Sequence, residues 1–232
     1  MDLAALRGMK RAGEKIVGVV VWDYQMAQIV DRAGVDLVSV GDSVGVNLWG
    51  GKEGEITLEE MLVVCKAVRR GVTRALLSCD LPPRFANAQN ARRLVEEGGA
   101  QMIKVEAPAS VVKALADAGI SIFAEFHGGR PVDELVKEAK DLEAAGAALL
   151  DFRHSGPDAG AAVVRAVSIP VLGGLGGGPW LDGRVRLAHT AIGYAEKWLE
   201  AKTDTYFNTA KGALDAFHAL IADARAGRQI KG

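Results

Sequence analysis

Short apolar runs alternate with amphipathic stretches along the chain. The runs lie at 16–22, 37–40, 75–79, 102–105, 121–125, 148–152 and 169–173, with a weaker one at 185–189. They lack strict in–out alternation, which suits strands covered on both faces, as in a parallel sheet. The stretches between them carry helical stripes. In "TLEEMLVVCKAVRRG", Leu58, Met61, Leu62, Cys65 and Val68 share one face, and Thr57 with Glu60 predicts a capping box. Met26, Ile29, Val30 and Ala33 form a second stripe before Gly34, and Leu135, Ala139 and Leu142 a third before Gly146. One junction recurs as "RAGVDLVSV" (32–40), "EGGAQMIKV" (97–105), "DAGISIFAE" (117–125) and "AAGAALLDF" (144–152). A glycine there fits the left-handed residue that ends a helix, and an apolar strand follows. Eight such strand–helix units predict an α/β fold. Closure into a single-domain (β/α)8 TIM barrel over residues 1–232 is the simplest arrangement, with an open doubly wound sheet as the alternative. The run "GGLGGGP" (173–179) is no dinucleotide fingerprint, because it does not open a long helix early in the chain.

Composition changes this picture little. Of 232 residues, 49 % are apolar and 25 % charged, and the net charge of −1 gives no bulk attraction to nucleic acid or anionic membrane. Nothing approaches a membrane-spanning run, and the N-terminus "MDLAALRGMKRAGEK" has no apolar core of a secretory signal. Cys65 and Cys79 sit in apolar stretches, which fits reduced thiols of a cytoplasmic protein.

In a barrel, chemistry gathers at the C-terminal strand ends. The second strand ends in Asp42-Ser43 and the third in Asp80. The fourth ends in Lys104 and Glu106, the fifth in Glu125 and His127, and the sixth in Asp151, Arg153 and His154. Each acid alone reads equally as a turn or cap residue, and Asp23 as a helix cap or an outer support. Asp42, Asp80 and Glu106 on three successive strands are a different matter, since converging carboxylates repel unless a cation or proton joins them. Hard oxygen ligands of this kind suit Mg2+. Lys104 lies two residues before Glu106, on the same side, where it can meet a substrate carboxylate or simply pair with an acid. Counted from the junction glycines, Asp151 and Arg153 match Lys104 and Glu106, so equal registers predict one inward layer. His154 then points elsewhere or lies in the loop. His189 and His218 read as packing or surface residues.

The ordered segments "VWDYQMAQIVDRAGVDLVSVGDSVGVNLWGG", "ITLEEMLVVCKAVRRG", "ALLSCDLP" and "IKVE" resemble ketopantoate hydroxymethyltransferases, barrels of the phosphoenolpyruvate mutase/isocitrate lyase superfamily. The likeness is close over residues 5–106 and looser through "AAGAALLDF", "SIPVLGGLGGG" and "LDGRVRLAHTAIG". It implies an enzyme that binds 3-methyl-2-oxobutanoate on Mg2+, removes the C3 proton, and adds the resulting enolate to the one-carbon unit of 5,10-methylenetetrahydrofolate. By the same resemblance Asp42 and Asp80 are metal ligands that also meet substrate, Glu106 is an outer metal-site residue, and Ser43 and Lys104 bind substrate. Homo-oligomers and a place in pantothenate synthesis are implied as well. The second half departs from the pattern. Arg153 stands where the family carries its catalytic glutamate, and arginine does not serve as a base at neutral pH. The catalytic set is therefore expected among Glu125, Asp151, Arg153 and His154, with the base moved to Glu125, Asp151 or His154. Two alternatives stay open. One is a lyase, decarboxylase or C–C hydrolase of another 2-oxo acid, with Arg153 clamping a second carboxylate. The other is a non-catalytic ligand-binding paralogue.

Overall fold

Glycine punctuation sets the architecture. Gly34, Gly99, Gly119 and Gly146 all take positive φ, from 78 to 101°, so each turns the chain from a helix into the next strand without a side-chain clash. The structure, a computed structural model, describes residues 1–200 and 204–231. Eight parallel strands close in sequence order: β1 (Ile16–Val21), β2 (Leu37–Val40), β3 (Leu76–Asp80), β4 (Met102–Glu106), β5 (Ile122–His127), β6 (Ala147–Arg153), β7 (Val171–Gly173) and β8 (Gly183–Leu187). The expected (β/α)8 barrel is present, and the weak eighth strand begins two residues earlier than its apolar run. The helices are α1 (Leu3–Ala12), α2 (Tyr24–Ala33), α3 (Val44–Asn47), α4 (Leu58–Gly71), α5 (Ala88–Glu96), α6 (Ala109–Asp117), α7 (Val132–Ala144), α8 (Pro157–Ala166), α9 (Ala188–Ala191) and α10 (Thr209–Arg225). Thr57 and Glu60 make the expected capping box on α4, and Asp23 caps α2 by accepting from Met26 N at 2.8 Å.

The barrel interior changes from apolar to polar along its axis. Ile16, Leu37, Leu76, Met102, Phe123, Leu149, Leu172 and Val185, one from each strand, form a buried layer together with Leu6 of α1. Two residues further along, Ser39 and Ser78 share a buried hydrogen bond of 2.8 Å. Because strands alternate with period two, the same inward rows continue to Asp80, Lys104, Glu106, Glu125, His127, Asp151 and Arg153. Outward residues pack under the helices, and Phe126 stacks on Phe152 with centroids 4.3 Å apart. At the opposite end, Lys10 of α1 donates to Asp182 Oδ2 at 2.9 Å and to the carbonyls of Val164 and Ile169.

Asp31 holds the entry to β3. Its buried carboxylate accepts from Thr73 N, Thr73 Oγ1, Arg74 N and Ala75 N at 2.8–3.2 Å. Burial alone would raise its pKa, but these donors outweigh it and hold the group at about 2.

Contacts divide the chain into two compact units, Met1–Arg186 and Leu187–Gly232. Within the second, Asn208 caps α10 by accepting from Lys211 N at 3.0 Å, and Thr209 Oγ1 donates to Ile192 O at 2.8 Å. None of the 17 residues of α10 is buried. Among the described residues no helix is long and apolar enough to cross a membrane.

Candidate active site at the mouth of the barrel

The polar rows meet at the C-terminal end of β2 to β6. Asp42 follows Gly41, whose lack of a Cβ matters: one placed there would lie 2.7 Å from Val20 Cγ1. The bend brings Asp42 N to Asp80 Oδ2 at 3.3 Å. Ser43 is half-buried at the start of α3. Lys104 ties the acids together. Its Nζ bonds Glu125 Oε2, lies 3.3 Å from Asp151 Oδ2, and lies 4.0 Å from Asp80 Oδ2. Glu125 Oε1 accepts from Arg153 Nη1 at 2.6 Å, and Asp151 Oδ1 accepts from Gly174 N at 2.8 Å. His127 Nε2 stands 3.2 Å from Glu125 Oε1 and 3.3 Å from Glu106 Oε1.

Register explains these pairings. Equal registers would align Lys104 with Asp151, but the strands align Glu106 with Glu125 and Glu125 with Asp151. A shift between Ile122 and Phe123 skips Ala148 and keeps the two inward rows of β5 and β6 in step. His127 and Arg153 are then partners one step higher. The expected sharing of the inward side by Asp151 and Arg153 holds, while the equal registers it assumed give way to a stagger. His154 lies past the strand, exposed, at φ 50. Its carbonyl crowds β5, since a Cβ on Gly128 would fall 2.0 Å from His154 O.

The electrostatics divide the acids into two kinds. Burial is the largest influence on Asp80 and, with Asp42 and Glu125 nearby, pushes its pKa up to about 7 despite Lys104. Burial likewise raises Asp42, against the pull of Lys104. Glu125 goes the other way: burial would raise it, but Lys104 and Arg153 prevail and hold it at about 2. Burial works to lower Lys104, and Asp80, Asp151 and Glu125 overcome it, so the ammonium is held charged.

Asp80 Oδ1 is buried and accepts no hydrogen bond. An orphaned carboxylate oxygen near a second carboxylate whose pKa burial also raises fits a hard divalent cation, and Asp42 with Asp80 would hold it. Glu106 turns instead to His127. Glu106, Glu125 and His127 also present ligand atoms within 4.8 Å of one another, but Glu125 already neutralises Lys104 and Arg153. Of the expected catalytic residues, Glu125 and Asp151 have both oxygens engaged, Arg153 is paired, and His154 is exposed past β6 with its ring centroid 6.3 Å from that of His127. His127, named in the sequence as a strand-end residue, is given no role there. Its signal was present, because it repeats the two-residue step of Lys104–Glu106 and Asp151–Arg153.

A family model described as ketopantoate hydroxymethyltransferase matches residues 1–131 and 127–229. The 3-methyl-2-oxobutanoate hydroxymethyltransferase of Geobacillus kaustophilus (strain HTA426) is 33 % identical over 244 residues, covering 94 % of this chain and 87 % of that protein. The phosphoenolpyruvate phosphomutase of Streptomyces platensis subsp. rosaceus has a similar structure, with a TM-score of 0.68 at 17 % identity, covering 98 % of this chain and 89 % of the other. So does 2,3-dimethylmalate lyase, a member of the PEP mutase/isocitrate lyase superfamily, with a TM-score of 0.65 at 13 % identity, covering 97 % and 87 %. These two structures speak for the fold.

Proposed function

The chain belongs to the ketopantoate hydroxymethyltransferase family, and on that premise we propose that it adds a one-carbon unit to C3 of a 2-oxo acid of the 3-methyl-2-oxobutanoate type. The observation that carries this reading is the unpartnered, buried Asp80 Oδ1 beside Asp42 and Lys104. Mg2+ held by Asp42 and Asp80 would act as a Lewis acid on the keto oxygen of the substrate. Lys104, held charged by three acids, faces the negative charge that develops when the C3 proton leaves. Glu125 and Asp151 keep that ammonium in place, and Asp151 also fixes the glycine loop after β7 through Gly174 N. Ser43 lies beside Asp42, where its hydroxyl serves substrate binding. The proposed one-carbon donor is 5,10-methylenetetrahydrofolate, and the proposed setting is pantothenate synthesis in the cytoplasm, consistent with two buried free thiols. Homo-oligomerisation is part of the reading: Leu214, Phe217, Leu220 and Ile221 leave an exposed apolar stripe on α10.

A second reading rests on Arg153. Among the described residues Arg153 bonds through Nη1 alone, so the remaining donors offer a bidentate site for a second carboxylate. That favours cleavage of a 2-oxo dicarboxylate. Incubation with Mg2+ and 3-methyl-2-oxobutanoate in D2O, followed by proton NMR at C3, separates the two. Enzyme-dependent exchange, with product formation when the folate donor is added, supports hydroxymethyl transfer. Absence of exchange, with cleavage of a member of a 2-oxo dicarboxylate panel, replaces it with the lyase reading.

A further inference from the structure

Removal of a C3 proton needs a group in the mouth that is not a cation and is not committed to other partners. Lys104 and Arg153 are cations. Glu125 uses Oε2 for Lys104 and Oε1 for Arg153, and Asp151 uses Oδ1 for Gly174 N and Oδ2 for Lys104. Asp42 and Asp80 form the cation pair. His154 stands beyond the strand. Glu106 is exposed at the rim, where its carboxylate faces His127. His127 differs from all of these. It lies on the inward row of β5, two residues above Glu125 and level with Arg153. Its Nε2 is buried and meets no hydrogen-bond geometry, although carboxylate oxygens of Glu125 and Glu106 stand 3.2 and 3.3 Å away. The ring as a whole is 39 % exposed, so its accessible part lies away from Nε2. Two carboxylate oxygens at that distance favour the tautomer with the proton on Nε2, which leaves the lone pair on Nδ1. An imidazole with carboxylates close to one nitrogen and no partner among the described residues at the other has its basic lone pair free to take a proton, as a general base requires.

We propose, resting on the reading above, that His127 is the general base that takes the C3 proton, with Glu106 and Glu125 as positioning residues that hold its tautomer. In this step the C3–H bond breaks and its electron pair becomes the C2=C3 bond. The C2=O π pair moves onto oxygen beside Lys104. The proton passes to Nδ1, and the Glu106 carboxylate balances the imidazolium so formed. Arg153 completes the division of labour by neutralising Glu125 without competing for the proton.

The test uses the full chain with Mg2+ and 3-methyl-2-oxobutanoate in D2O, comparing wild type with His127→Gln, His127→Ala and Glu106→Gln. Exchange at C3 is expected to fall by about 10²–10⁴ in both His127 variants, while calorimetric affinity for the oxo acid changes little. Imidazole added to His127→Ala is expected to restore part of the exchange, which a purely structural role would not allow. Glu106→Gln is expected to lower exchange less and to gain nothing from imidazole. Exchange in wild type that persists in folded His127→Gln overturns the base and leaves the hydroxymethyl reading standing. Absence of exchange in wild type overturns both. Should His127→Ala fail to fold, His127→Gln decides alone, with its fold checked by circular dichroism.

Discussion

Burial of the Asp80 carboxyl costs stability near neutral pH, and Asp80→Asn exposes that cost. In the metal-free protein its pKa rises from an ordinary 3.8 to about 7, burial being the main cause. A carboxyl group whose folded pKa is raised binds its proton more tightly in the folded state. Its contribution is therefore most favourable below about pH 4, and stability declines as pH rises from 3.8 toward 7. At about 1.4 kcal/mol per pH unit, that interval amounts to roughly 4 kcal/mol lost by pH 8. Asparagine has no charge to desolvate. If half of the cost is recovered, the unfolding midpoint of a chain this size rises by roughly 4–8 °C. Thermal unfolding in EDTA at pH 5 and pH 8 measures it. Asp80→Asn is expected to exceed wild type at pH 8 and by a smaller margin at pH 5, while losing activity. Mg2+ is expected to raise the wild-type midpoint more at pH 8 than at pH 5 and to leave the variant unmoved. An Asp80→Asn protein that is less stable than wild type at pH 8 without metal refutes the reasoning, as does a Mg2+ response that ignores pH.

Two further outcomes follow from the ion and hydrogen-bond networks. Glu125→Gln removes the shared partner of Lys104 and Arg153, so a loss of about 3–5 kcal/mol is expected in urea unfolding at pH 7, together with a lower kcat. Because the folded pKa of Glu125 is held near 2, its contribution is present above about pH 4.5 and fades as pH falls toward 2. Asp31→Ala strands the donors at Thr73, Arg74 and Ala75 and is expected to cost roughly 3 kcal/mol or more, with catalysis per folded molecule unchanged. The wild-type share from Asp31, whose pKa is near 2 against an ordinary 3.8, is lost below about pH 4, so the gap between wild type and variant narrows in denaturation curves at pH 3.

The chain's local pattern determined the kind of fold and where its chemistry lies. Apolar runs, helical stripes, the Thr57–Glu60 box and the junction glycines are all local signals, and each matches an observed element because it depends on neighbours within a few residues. Period-two spacing also marked two inward pairs, Lys104 with Glu106 and Asp151 with Arg153. Phe123, Glu125 and His127 on β5 and Leu149, Asp151 and Arg153 on β6 repeat the step that placed Lys104 and Glu106. Tertiary structure decided which inward residues meet. The register shift at Ile122/Phe123 sets Glu125 beside Asp151 and His127 beside Arg153, and the staggered closure sends Lys104 to Glu125, 21 positions away. Nothing in β4 or β5 alone states that stagger, since it follows from how the whole sheet closes. The opposite fates of Asp80 and Glu125 were hidden for the same reason. Both are strand-end acids in sequence, and only burial and the positions of Lys104 and Arg153 separate an unpaired oxygen suited to a cation from a carboxylate already neutralised.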